Sequence, residues 1–176
     1  MTNSTFICAI VATLVLTYGC QQSELKDHSG EIKEHPVEGS WKIETIHWIT
    51  QDTTFTIEEA QPGMMLFSSD KYALMWTPTL EPRVPFNNLS QPTDEEVIAG
   101  FRSVIFNGGH YEVSDSSVVT TAEIAKVPGF EGGKQIYRYQ IDQDTMRLTM
   151  YDERYPNGDR PQWYGTFETQ FVMTRS

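Results

Sequence analysis

Three side chains suited to proton transfer or ion pairing stand in runs that otherwise read as apolar strands: His47, Glu123 and Arg138. In "EGSWKIETIHWITQ" (38–51), Trp41, Ile43, Thr45 and Ile49 alternate like one buried strand face, and His47 shares their parity. In "SVVTTAEIA" (117–125), Glu123 interrupts the face made by Val119, Thr121 and Ala125. In "KQIYRYQI" (134–141), Tyr137, Tyr139 and Ile141 form one face, and Ile136, Arg138 and Gln140 form the other. If the Arg138 face points inward, its guanidinium needs a carboxylate, from the protein or from a ligand such as a fatty acid. If the tyrosines point inward, Arg138 is a solvated outer charge. His47 is expected to face the interior and to contact Glu123 or Arg138. Such a pair would be a general acid and base if a substrate bound between them, and a core-fixing polar network otherwise. The spacings of a nucleophile elbow and of histidine metal motifs do not occur, and "GFEGGK" (129–134) lacks phosphate-loop spacing, so no metal or other cofactor is implied.

Apolar chemistry has more material. The chain has 4 Trp, 8 Tyr, 9 Phe and 7 Met, a stock that either lines a promiscuous cavity or fills a core. Tyr72, Trp76, Tyr137, Tyr139 and Trp163 join His47, Glu123 and Arg138 as candidate ligand contacts. Two stretches are candidate rims: the proline-rich "TPTLEPRVPFNNLSQPT" (77–93), with Arg83 and Phe86, and "DERYPNGDRPQWYG" (152–165), with Tyr155, Arg160 and Trp163. Trp48, on the opposite parity from Trp41, is expected under a helix or against the N-terminal segment.

These residues need elements to hold them. Short alternating runs near 40–50, 53–58, 63–68, 71–77, 109–114, 117–125, 134–141, 145–151 and 164–174 read as strands, with turn residues in "SSDKY", "SDSS" and "DQDT" between them. "PTDEEVIAGFRSVIFNGG" (92–109) predicts one mid-chain helix over about 93–106. Thr93 and Glu96 form a capping box, and Val97, Ile98, Phe101, Val104 and Ile105 form a stripe that must be buried. Asn107-Gly108-Gly109 is expected to stop it. "GMMLF" and "YALMW" are apolar on both faces, which suits a closed or strongly curled sheet. The expected class is therefore all-β, an up-and-down antiparallel barrel with the helix on its wall or across a mouth; a sandwich is the alternative.

The ends bound the address. Phe6 to Tyr18 is an uncharged apolar run ending at Gly19-Cys20, which resembles a bacterial lipoprotein signal: 1–19 as the signal peptide, Cys20 as the lipidated residue. In this sequence Leu16 stands four residues before Cys20, and the first five residues carry no Lys or Arg. The polar stretch up to residue 37, with His28 and His35, reads as a flexible tether, and 38–176 as one domain. With Cys8 in the signal and Cys20 acylated, no thiol remains for a disulfide or a nucleophile. The net charge of −11, with no basic cluster, argues against nucleic acid.

Several pieces in order resemble the bacterial lipocalin-like domain family over about 38–176. They are Gly39-Ser40-Trp41, "PGMMLFSSDKYALMW" (62–76), "AGFRSVIFNGGHYEV" (99–113) and "VPGFEGGKQIYRYQIDQDTMRLTM" (127–150). The resemblance implies a lipocalin-shaped barrel with Trp41 as a structural plug of its closed end. Lipocalins place their helix after the last barrel strand, whereas here it lies mid-chain. The function this implies is binding of a small hydrophobic or amphipathic molecule by a lipid-anchored protein of the bacterial cell envelope, on the periplasmic or surface side. Alternatives are an isomerase or cyclase acting on a hydrophobic substrate, and a filled barrel that docks a protein partner.

Overall fold

The computed structural model describes residues 35–176, so Cys8, Cys20, His28, the leader reading and the tether up to residue 34 lie outside the described residues, whereas Val37, read as the end of the tether, is fully buried and belongs to the core because its carbonyl accepts from Trp41. Nine strands form one antiparallel sheet: β1 (Gly39–Ile49), β2 (Thr54–Ile57), β3 (Met64–Ser68), β4 (Lys71–Trp76), β5 (Ile105–Val113), β6 (Ser117–Ala125), β7 (Lys134–Asp142), β8 (Thr145–Arg154) and β9 (Glu168–Arg175). β9 pairs back onto β1, which closes the sheet. β2 and β3 follow one another along the same edge of β1, so nine strands make an eight-stranded wall. Closure leaves no long exposed edge.

Three β-bulges decide which side chains face inward. An extra residue on one strand reverses the alternation beyond it. In β1 the register against β9 shifts between Ile43 and Thr45. Trp41 and Ile43 point in before the shift, and Ile46 and Trp48 point in after it. In β5–β6 the shift lies at Gly108/Gly109, opposite Glu123. A Cβ on Gly109 would come within 2.2 Å of the Thr121 carbonyl oxygen and 2.6 Å of the Glu123 nitrogen, so this bulge needs glycine. In β7–β8 the shift lies at Ile136/Tyr137, where Tyr151 is the unpaired residue.

One end of the barrel is filled. Trp41 is fully buried, donates from Nε1 to the Val37 carbonyl at 2.7 Å and lies under the Arg175 guanidinium, 4.2 Å from its ring centroid. Phe67 and Tyr111 meet edge to face at 4.9 Å, with Met65, Met146 and Met173 buried in the same core. The connections at this end are tight: Ser69-Asp70, 114–116 and Gln143-Asp144.

The helix, α1 (Asp94–Arg102), is shorter than predicted. Its capping box is present: Thr93 Oγ1 accepts from the Glu96 amide, and Glu96 Oε2 accepts from the Thr93 amide at 2.8 Å. Ser103 caps its C-terminus, and Ile105 to Gly109, expected to end the helix and stop it, belong to β5, because pairing with β4 satisfies their backbone. The stripe is therefore cut, and what remains is not buried: Val97, Ile98 and Phe101 stay 48%, 51% and 47% exposed. The 77–93 loop supports the helix instead, through Arg83 to Ser103 at 2.9 Å, Asn87 to Glu96 and the Phe86 ring on Gly100.

Candidate functional site

The other end of the barrel is hollow. A cavity of about 310 Å³ lies between the β1, β4, β7, β8 and β9 walls, under the 155–167 loop and Pro78 of the 77–93 loop. That is the low end of the range for small-molecule pockets. Its walls are aromatic: Trp48, Trp76, Tyr137, Trp163, Phe167 and Phe171. Trp76 meets Phe171 edge to face at 5.1 Å, Trp48 lies 6.2 Å from Trp76, and Trp163 lies 5.4 Å from Phe167. A larger depression of about 680 Å³ runs over Thr50, Asp52, Tyr151 and Tyr164, but it lies on the outside of the wall and lacks this apolar enclosure.

One carboxyl group enters the cavity, and it is Glu153. Gln135 Nε2 donates to Glu153 Oε2 at 2.9 Å, and the Tyr137 hydroxyl donates to Gln135 Oε1 at 2.9 Å, so the three form a polar chain up one wall. Burial pushes the Glu153 carboxyl above its ordinary range, opposed in part by the Gln135 hydrogen bond. Burial likewise raises the Tyr137 phenol well above its ordinary value. Deeper still, the Tyr72 hydroxyl donates to Asn107 Oδ1 at 2.6 Å, and burial pushes it up to about 12.

The neighbouring residue has the opposite environment. Asp152 faces outward, yet its side chain is only 9% exposed, because Arg160 Nε and Nη2 reach its two oxygens at 3.0 and 3.1 Å, with Arg154 at 3.3 Å. The Arg160 contact holds the Asp152 carboxyl below its ordinary range. Arg160 also stacks over Tyr164 at 4.0 Å. This clamp fixes the loop that brings Trp163 and Phe167 over the mouth.

The sequence-derived candidates divide. Trp76, Tyr137 and Trp163 are on the cavity wall. Tyr72 is inside but deeper, and Tyr139 packs against the core toward the filled end, donating to the Ser114 carbonyl at 3.0 Å. The tyrosine face of β7 is thus the inner one. Three placements are corrected. His47 points outward, because the β1 bulge reverses its parity, and its Nδ1 bonds Thr56 Oγ1 at 2.8 Å. Glu123 is on the outer wall, because Val118, Thr120 and Ala122 are the buried residues of β6. There it bonds Lys71 at 2.9 Å and His110 at 2.8 Å, and His110 reaches Asp70. Arg138 is outside, paired with Glu168 and stacked on Tyr151. The expected contact of His47 with Glu123 or Arg138 does not form, and no acid–base pair assembles from these three. Trp48, expected under the helix or against the N-terminal segment, is a cavity wall.

A model of the lipocalin-like domain matches residues 38–170. The chain belongs to the lipocalin-like domain family. Comparison with curated proteins found no match. The family match spans every strand of the lipocalin-like barrel except the end of β9, so it covers the whole cavity wall apart from Phe171. Glu153 and Gln135 escaped the sequence reading. Strand β8 was expected to end at 151, and strict alternation from Met146, Leu148 and Met150 would have turned Asp152 inward, not Glu153. The available signal was the apolar–polar mismatch of "MYDER", where one extra residue exchanges the two carboxylates.

Proposed function

We propose that this lipocalin-like chain binds a small, largely apolar molecule in the open end of its barrel, tethered to the bacterial cell envelope by a lipid on Cys20. The observation that carries the reading is the cavity: about 310 Å³, walled by six aromatic rings, with a single polar chain on one side. Tight packing at the filled end makes that hollow informative, since interiors are normally close-packed and an unfilled apolar cavity is destabilising. The ends of long loops surround the cavity, as expected where ligands enter and leave. For the anchor, support comes from the uncharged run Phe6–Tyr18 followed by Gly19-Cys20.

The test is native mass spectrometry of the purified chain with organic extraction of the same sample. A reproducible added mass that is lost on denaturation supports the reading. A clean unliganded mass that stays clean after challenge with apolar probes defeats it. That outcome favours a protein-docking module, for which the support is an exposed outer row across paired strands, Met64–Met75–Phe106. For the anchor, Cys20→Ala should move the protein from the membrane to the soluble fraction; a distribution unchanged by the substitution defeats lipidation at Cys20.

A further inference from the structure

Resting on the cavity reading above, we propose that the ligand is an organic cation: a protonated amine or quaternary ammonium group on a compact apolar body. Among the described residues, the cavity lining contains one carboxyl group, that of Glu153, and no Lys, Arg or His. Among the described residues, its one side-chain partner is the neutral amide of Gln135. The nearby guanidiniums of Arg154 and Arg160 are engaged with Asp152 on the outer face. A carboxylate held in an apolar pocket without a counter-ion is destabilised, and a cationic ligand supplies that counter-ion. The raised Glu153 carboxyl reports the same imbalance.

The remaining walls suit the same guest. Trp48, Trp76, Trp163, Phe167 and Phe171 line the same cavity as the carboxyl, and tryptophan faces attract cations. The chain's net charge of −11 raises the local concentration of cations around the mouth. A fatty acid fits badly, because its carboxylate would face Glu153 with no basic side chain to receive it. The fatty-acid expectation depended on an inward Arg138, which is outside.

Three probes with one body separate the chemistry: 4-phenylbutylamine, 4-phenylbutanol and 4-phenylbutyrate, titrated at pH 7.5 against the full chain carrying Cys20→Ala and followed by tryptophan fluorescence and calorimetry. The amine should bind about tenfold tighter than the alcohol, with the carboxylate weakest. Glu153→Gln should bring the amine to the level of the alcohol and change the alcohol by no more than about twofold. On the unsubstituted cavity, the amine's advantage over the alcohol should fade as pH falls and Glu153 protonates. The other titratable group on the cavity wall is Tyr137, whose phenol titrates far above this range. Equal binding of amine and alcohol, or tighter binding of the carboxylate, overturns the cation assignment and leaves the apolar cavity standing. Binding of none of the three overturns both.

Discussion

The two ends of this barrel are built on the same strands and have opposite interiors. At one end, tight turns connect the strands, and Trp41, Phe67, Tyr111 and three methionines fill the lumen. At the other, the long 77–93 and 155–167 loops surround a hollow with aromatic walls and one carboxyl group. The inner side chains of both ends are largely apolar. The difference is therefore one of filling, and it teaches that close packing and open space have been assigned to separate halves of one wall.

The sharpest way to break that comparison is to truncate a tryptophan at each end. Trp41→Ala removes a fully buried ring together with its hydrogen bond to Val37 and its contact with Arg175, and should destabilise the fold by about 3–5 kcal/mol. Trp76→Ala removes a ring that is buried but borders the cavity, and should cost about 2–3 kcal/mol while weakening binding of an apolar probe. Denaturant unfolding of both variants checks this. Equal losses at the two ends would show that the hollow end is as structural as the plug.

Next in size is the bulge that turns the outer wall. Gly109→Ala places a methyl group into the Thr121 carbonyl and Glu123 amide, which are backbone atoms and cannot rotate away. A loss of about 2–3 kcal/mol is expected from thermal or denaturant unfolding, against about 1 kcal/mol or less for Gly129→Ala, where nothing lies within 4 Å and only the backbone angle is strained. A small effect at Gly109 would mean the bulge can slide, and with it the inward set of β5 and β6.

Smaller, but specific to the hollow end, is the opposed titration of adjacent carboxyls. Glu153 has a raised folded pKa, so its contribution to stability is full below the unfolded carboxyl value and is lost as pH rises through the folded one. Asp152 has a lowered folded pKa, so its contribution is present above the unfolded value and is lost as pH falls through the folded one. Glu153→Gln should therefore raise stability at neutral pH and have little effect in acid. Asp152→Asn should lower stability at neutral pH, flatten the acid limb and loosen the 155–167 loop, seen as weaker probe binding. Unfolding curves between pH 4 and pH 8 check both signs, and parallel curves for the two variants would contradict the assigned environments.

Much of this was legible in the sequence. The closed antiparallel architecture followed from residues apolar on both faces in 64–67 and 72–76, and the helix start followed from Thr93 and Glu96. Trp76, Tyr137 and Trp163 were on the right wall because each lies where the alternation gave the correct face or in a loop at the mouth. The errors cluster at irregularities. In β1 the exchange of His47 for Trp48 comes from one shifted residue between Ile43 and Thr45, and nothing in "IETIHW" marks it locally. In β8 the exchange of Asp152 for Glu153 has the same origin. In β6 both parities are apolar at Val118 and Val119, so the choice of inner face rested on pairing partners that only the tertiary structure supplies. The helix end failed because β-pairing of Ile105–Gly109 with β4 outcompeted helix continuation, a non-local effect.

The least expected effect on binding comes from the turns of the filled end, which makes them the finest test of independence between the halves. Ser69 and Gln143 are the first residues of two-residue hairpin turns and have φ of 55° and 52°, in the left-handed region that disfavours side chains. Glycine removes that strain but adds freedom to the unfolded chain, and the two terms partly offset. Ser69→Gly and Gln143→Gly should each stabilise by about 0.5 kcal/mol. Neither should change probe affinity, since the plug around Trp41 and the packed layer of Tyr72, Tyr137 and Leu148 lie between these turns and the cavity. A change in affinity with either variant, at unchanged fold, would mean that the filled end transmits strain through that layer, and that the barrel recognises its ligand as one body.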